Sequence, residues 1–174
     1  MTSAQKSRSA PVRALDLVEK AVALLVGLLL AGIVFIMLLA IWSRYIENDS
    51  LAWTEQVSRI LFVWITFLGA AVLYRRGAHI AIDFFLDLMP RRLAAIVRAA
   101  NETMMLGLFL VLLIYGAKLS ISNLGQTYGA LDVSPSTHYF AAPVSAALMI
   151  LFWLERAAIG LERARRPGAR EDSA

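Results

Sequence analysis

The chain has 174 residues, of which 59% are hydrophobic, a net charge of +4 and no cysteine. Without cysteine it can form no disulfide, thiolate metal site or thiol redox centre. The basic balance is no argument for nucleic acid, because no basic stripe with interleaved aromatics lies on a soluble face, and basic membrane edges face anionic lipid heads in any case.

Four apolar runs divide the chain. The first, Ala21–Trp42, holds 22 residues without a charge, and about 20 helical residues suffice to cross a hydrocarbon core. The others are Ile60–Tyr74 with a polar-tinged lead-in from Leu51, a third within Leu93–Ile121 and a fourth within His138–Ile159. Backbone in hydrocarbon has no water to bond, so each run must be a helix. The expected fold is one all-α integral membrane domain over residues 1–174. It has four transmembrane helices, at 14–46, 51–74, 92–122 and 138–160, an amphipathic interfacial arm helix at 75–90, and polar, mobile tails at 1–12 and 167–174.

Lys and Arg fall almost entirely on one side of this scheme. Lys6, Arg8, Arg13 and Lys20 precede the first run. Arg75, Arg76, Arg91 and Arg92 flank the second connection, and Arg156, Arg163, Arg165, Arg166 and Arg170 close the chain. The first and third connections, 47–52 and 122–137, have none. Counted over short loops, that asymmetry puts both termini in the cytoplasm. A cleaved signal peptide would have an apolar stretch of about 7–15 residues and a small-residue cleavage site. The first run is longer and ends Ile41-Trp42-Ser43-Arg44, so it reads as a retained anchor.

In chain order, helix one begins amphipathic, with Asp16, Glu19 and Lys20 in cytoplasmic water, and ends at Trp42, Arg44 and Tyr45, where an aromatic belt sits. Helix two starts at Trp53 and then places Glu55 and Arg59 one turn apart, roughly 3–10 Å inside the outer boundary. Ionisable groups at depth are costly unless paired. The i, i+4 spacing lets these two pair along one face, and Arg44 can reach Glu55 across the hairpin. The cluster fixes hairpin register or docks a partner. An arginine neighbour stabilises an ionised carboxylate, which suits a fixed anchor better than a proton carrier.

Around a helical wheel, Arg75, Arg76, His79, Asp83 and Asp87 fall within roughly 120°. Ile80, Ile82, Phe84, Phe85, Leu88 and Met89 take the rest, with Leu86 the exception. This pattern is an arm in the headgroup plane that ends at Pro90 and meets lipid heads again at Arg91 and Arg92. The alternative is a cytoplasmic extension of helix two, kinked near Gly77. Helix three is longer than a crossing needs and should tilt or protrude. In it Arg98 and Glu102 repeat the i, i+4 pairing, and Lys118 snorkels outward. Ser134, Pro135 and Ser136 are start signals for helix four.

No metal-binding, phosphate-binding or nucleophile motif is present, and no cofactor is expected. A membrane haem takes axial ligands, commonly His, yet His79 and His138 fall at opposite membrane faces. Helices broken at mid-membrane by Gly or Pro, the usual pointer to a transport site, are missing. A helical subunit whose partner holds the chemistry remains.

One stretch carries a further signal. Trp53-Thr54-Glu55-Gln56, Arg59 to Trp64, Phe67 to Ala71, Arg75 to Asp83 and Leu88-Met89-Pro90 together resemble the small membrane subunit, of the DctQ type, of tripartite ATP-independent periplasmic (TRAP) transporters. The resemblance covers residues 15–160, and members often carry a second acidic residue where this chain has Gln56. It implies a non-transporting scaffold in the bacterial inner membrane. It also implies partners: a large multi-helix permease with an elevator mechanism driven by sodium, a periplasmic substrate-binding protein that delivers an organic acid, and membrane phospholipids. Two other classes compete with it. One is a small proton-coupled four-helix exporter using Glu55; the other is a haem-free anchor subunit of another complex.

Overall fold

The computed structural model describes residues 10–48, 51–77, 90–127 and 129–165. Every regular element among them is helical: α1 (Ala10–Trp42), a π-helical turn (Ser43–Glu47), α2 (Ala52–Arg75), α3 (Arg91–Ser122), a single turn α4 (Ser136–Tyr139) and α5 (Ala141–Arg165). Four segments are long and apolar enough to cross a membrane, namely Val12–Glu47, Ala52–Arg75, Arg92–Ser122 and Ser136–Ala158. The body of the expected arm, residues 78–89, lies outside the described residues. So do residues 1–9 and 167–174 of the expected tails.

Element boundaries follow local chemistry. α1 starts at Ala10, ahead of the expected residue 14, because its first turns are not free in water: Leu15 and Val18 pack against the core. Its far end widens into the π turn, which Asn48 closes in the left-handed conformation (φ 56°) while donating its N–H to the Ser43 carbonyl. Asn is one of the few non-glycine residues that tolerates that region. The Thr54 hydroxyl donates to the Leu51 carbonyl at 2.6 Å where α2 begins, and Glu55 places a negative charge at the positive end of the helix dipole. Pro90 precedes α3, and Asn123 ends it by donating its side-chain amide to the Leu119 carbonyl at 2.8 Å. Pro143 occupies the third position of α5, where the missing N–H has no helical partner to lose.

The helices form a row rather than a closed ring: α1 packs on α2, α2 on α5, and α5 on α3. The buried centre is Ala71 and Tyr74 of α2, Phe109 of α3, and Met149 and Phe152 of α5. Tyr74 meets Phe109 edge to face, with ring centroids 5.0 Å apart and an interplanar angle of 83°. Small residues bring α3 and α5 together. A Cβ on Gly116 would stand 3.0 Å from Cδ of Pro143, and in α4, the turn just before α5, the Ser136 hydroxyl donates to the Ser120 carbonyl at 2.6 Å with both residues buried. Between helices in lipid, where burial of apolar surface gains little, such close approach supplies much of the attraction. The outer sides of α1 and α3 remain uncovered: Leu24, Leu28, Phe35 and Leu38 of the first, Met104, Leu108, Val111 and Ile114 of the second.

Candidate functional site

The long helices cross with alternating direction, so the start of α1, the end of α2, the start of α3 and the end of α5 share one end of the bundle. The charged residues collect at the two ends. Residues 21–43, 60–74, 103–117 and 141–154, the middle of each span, contain none.

At the end holding both helical termini, the Arg75 side chain is 9% exposed and ties three helices together. Its Nε and Nη2 donate to the two carboxylate oxygens of Glu155 at 3.0 and 2.9 Å. Its Nη1 donates to Glu19 at 2.7 Å, and its Nη2 also donates to Asp16 at 2.8 Å. Arg76 takes the other Glu19 oxygen at 2.9 Å. The Arg75 guanidinium lies 5.2 Å from the centre of the Phe152 ring, which carries it on its electron-rich face. Only the planar, five-donor fork of arginine can bridge three carboxylates in this way. Arg75 is thus an internal clamp and not a lipid-facing residue of the arm. The reason is positional: it is the last residue of α2, and three carboxylates from neighbouring helices converge there. Likewise Asp16 and Glu19 are bound rather than bathed in cytoplasmic water.

The second expected pair at this end also re-sorts. Glu102 turns across to Arg156 of α5 at 3.7 Å. Arg98 is exposed and makes no ion pair among the described residues. The i, i+4 geometry allowed the pairing along α3, but packing of α5 against that face of α3 offered Glu102 a partner on another helix. Arg76 and Arg92 are exposed, whereas His79, Asp83, Phe84 and Phe85 lie outside the described residues. Arg91 begins α3.

At the opposite end, Arg59 Nη2 donates to Glu55 Oε1 at 2.9 Å. Both are open to the surroundings, with side chains 57% and 81% exposed. Trp53 is half-buried beside them. Arg44 and Glu55 line one groove, yet no ion pair joins them. Arg44 lies within the π turn that ends α1. Gln56 reaches the third connection instead: its Oε1 accepts the Leu131 N–H at 3.2 Å. Gly129 (φ 86°) passes so close to this amide that any side chain there would collide with it. The Trp64 indole N–H donates to the Thr137 carbonyl at 2.9 Å. These contacts hold residues 129–138 over α2 and enclose a cleft of about 220 Å³ lined by Glu55, Gln56, Arg59, Val133 and His138 among others.

Sequence reasoning missed the acidic side of the clamp. The available signal was that Asp16 and Glu19 of α1 and Glu155 of α5 fall near the same predicted boundary as Arg75 of α2. It also missed Gln56 and Trp64 as fasteners, which nothing in a single sequence distinguishes from ordinary α2 residues.

An apolar bundle with its charges gathered at the two ends is the pattern of a membrane-embedded subunit. The family model for tripartite ATP-independent periplasmic transporters, DctQ component, matches residues 33–163. The chain belongs to this family. It is a multi-pass inner-membrane subunit of a transporter, one part of a three-part system, and not an enzyme. Among curated DctQ-like relatives, the sialic acid TRAP transporter small permease protein SiaQ of Vibrio cholerae is 25% identical over 128 residues, which are 74% of either chain. The sialic acid TRAP transporter permease protein SiaT of Haemophilus influenzae is 26% identical over 137 residues, 78% of this chain but 22% of SiaT. The isethionate TRAP transporter permease protein DctMQ of Oleidesulfovibrio alaskensis is 30% identical over 132 residues, 71% of this chain and 21% of that one. In the two latter proteins the similar stretch is about a fifth of a longer permease chain.

Proposed function

We propose that this DctQ-type subunit is the non-transporting scaffold of a sodium-driven, binding-protein-dependent transporter for an organic acid. It supports a large permease subunit that works by an elevator motion. The observation that carries the reading is the division of polar groups: charges fastened at both ends, and an uncharged middle in every span. A carrier needs a polar or ionisable station at mid-membrane, whereas a support needs helices that do not shift against one another. SiaT and DctMQ, in which a similar stretch is part of a longer permease chain, fit a permanent association with the large subunit. Relatives named for sialic acid and isethionate fit an acidic substrate.

The positive-inside pattern orients the bundle with the Arg75 clamp toward the cytoplasm and the Glu55–Arg59 pair toward the periplasm. In this orientation Trp53, Glu55, Arg59 and Arg44 form the periplasmic docking edge. Arg98 adds an exposed charge at the cytoplasmic edge. Residues 76–90, past the clamp, act as the interfacial arm that resists tilting, with Arg76, His79, Asp83, Phe84, Phe85, Arg91 and Arg92 at the headgroup level. Against a proton exporter working through Glu55 stands that residue's exposure and its arginine partner.

Vesicles reconstituted with the large permease and the binding protein, with and without this chain, test the role. A sodium gradient should drive uptake only when the chain is present, and the chain alone should move nothing. Transport by the chain alone, or full activity in its absence, would contradict the scaffold.

A further inference from the structure

A groove of about 370 Å³ runs between the end of α1 and the start of α2, lined by Met37, Ala40, Ile41, Arg44, Tyr45, Leu51, Ala52, Thr54 and Glu55. We propose that it holds one phospholipid with a zwitterionic phosphoethanolamine headgroup. Arg44 takes the phosphate, Glu55 takes the ammonium, and an acyl chain lies on Met37, Ala40 and Ile41.

The two ends of the groove differ in the way a lipid does. From Arg44 back to Met37 is two turns of helix, roughly 10 Å at 1.5 Å per residue, which is enough to pass from headgroup to acyl region. The inner stretch is apolar and open sideways to lipid, with Met37 48% and Ile41 55% exposed. The outer stretch carries one cation and one anion that do not neutralise each other. Arg44 has no ion-pair or hydrogen-bond partner among the described residues, and Arg59 occupies only Oε1 of Glu55. A guanidinium offers a bidentate fork to a phosphate, and a free carboxylate oxygen accepts from a primary ammonium, which has N–H groups to donate. A phosphoglycerol head brings no cation for Glu55, and a quaternary choline brings no N–H. The site therefore selects among lipids by the head's cation. Arg44 belongs to the π turn at the end of α1, and such turns are frequent at functional positions.

The test is native mass spectrometry on the membrane assembly containing the full chain, mildly delipidated. It is then titrated with phosphatidylethanolamine, phosphatidylglycerol or phosphatidylcholine of identical acyl chains, and with glycerophosphoethanolamine as a chain-free head. The wild type should retain one phosphatidylethanolamine per copy of this chain in preference to the other two lipids, and the chain-free head should not bind. Arg44→Gln should weaken retention of all three lipids by about tenfold or more, the equivalent of one charge-assisted bond. Glu55→Gln, compared at equal amounts of recovered assembly, should abolish the preference among heads while leaving a lipid bound. Ala40→Phe, which fills the apolar floor without touching a charge, should expel the lipid from an assembly of normal yield. Equal retention of the three lipids by the wild type, undiminished binding in Arg44→Gln or Ala40→Phe, or a partner side chain cross-linked to the acyl floor at Met37 or Ile41 would overturn the assignment.

Discussion

Arg75 sets the stability of the bundle because its guanidinium is nearly buried and serves three carboxylates at once. Removing one partner of such a network strands the others without counter-charge, a loss of about 3–5 kcal/mol. Arg75→Ala should therefore lower the resistance of the purified subunit to detergent-induced unfolding by that order. Arg75→Lys should fall between the two, since an ammonium cannot bind Glu155 in a bidentate manner. Equal stability of wild type and Arg75→Ala would remove the clamp from the account. The exposed Glu55–Arg59 pair is a different case. Within the chain it is worth about 0.3–0.5 kcal/mol, too little to matter for folding. Glu55→Ala or Arg59→Ala should nevertheless impair assembly with the permease or uptake, with the substrate profile unchanged. An altered profile would mean that this edge touches the substrate. The pairing of Glu55 with Arg59 was legible in the sequence because it depends only on helical spacing. The partners of Arg75 and Glu102 were not, because they lie on other helices, and a single chain does not reveal which faces meet.

At the scale of elements, the contact between α3 and α5 depends on Gly116. Its missing side chain lets Pro143 approach, and the Ser136–Ser120 hydrogen bond closes the same seam. Gly116→Leu should force the two helices apart and cost about 1–3 kcal/mol, as overpacking does. Cross-linking between cysteines placed at exposed positions on the two helices would report it, with an undiminished yield counting against the seam. The four spans were legible from hydropathy alone, since length and lack of charge leave the backbone no other choice. Their edges were less so. The extension of α1 to Ala10 and the π turn after Trp42 answer to tertiary contacts and to a local winding change, neither of which leaves a periodic trace.

For the molecule as a whole, the row α1–α2–α5–α3 leaves two long apolar flanks available to lipid or to a larger partner. The orientation proposed for it rests on the distribution of Lys and Arg, and the lack of native cysteine makes it directly measurable. In intact inner-membrane preparations, a single cysteine at Thr127 should react with an impermeant periplasmic reagent, and one at Ala14 should not. The reverse pattern would invert the bundle. The central claim is that this body stays rigid while its partner moves the solute. Spin labels on Leu17→Cys of α1 and Leu154→Cys of α5, both at exposed positions flanking the Arg75 clamp, measure that within the assembled transporter. Their separation should be the same with and without sodium, substrate and the loaded binding protein. A shift of several ångströms through the cycle would show this chain moving as part of the carrier.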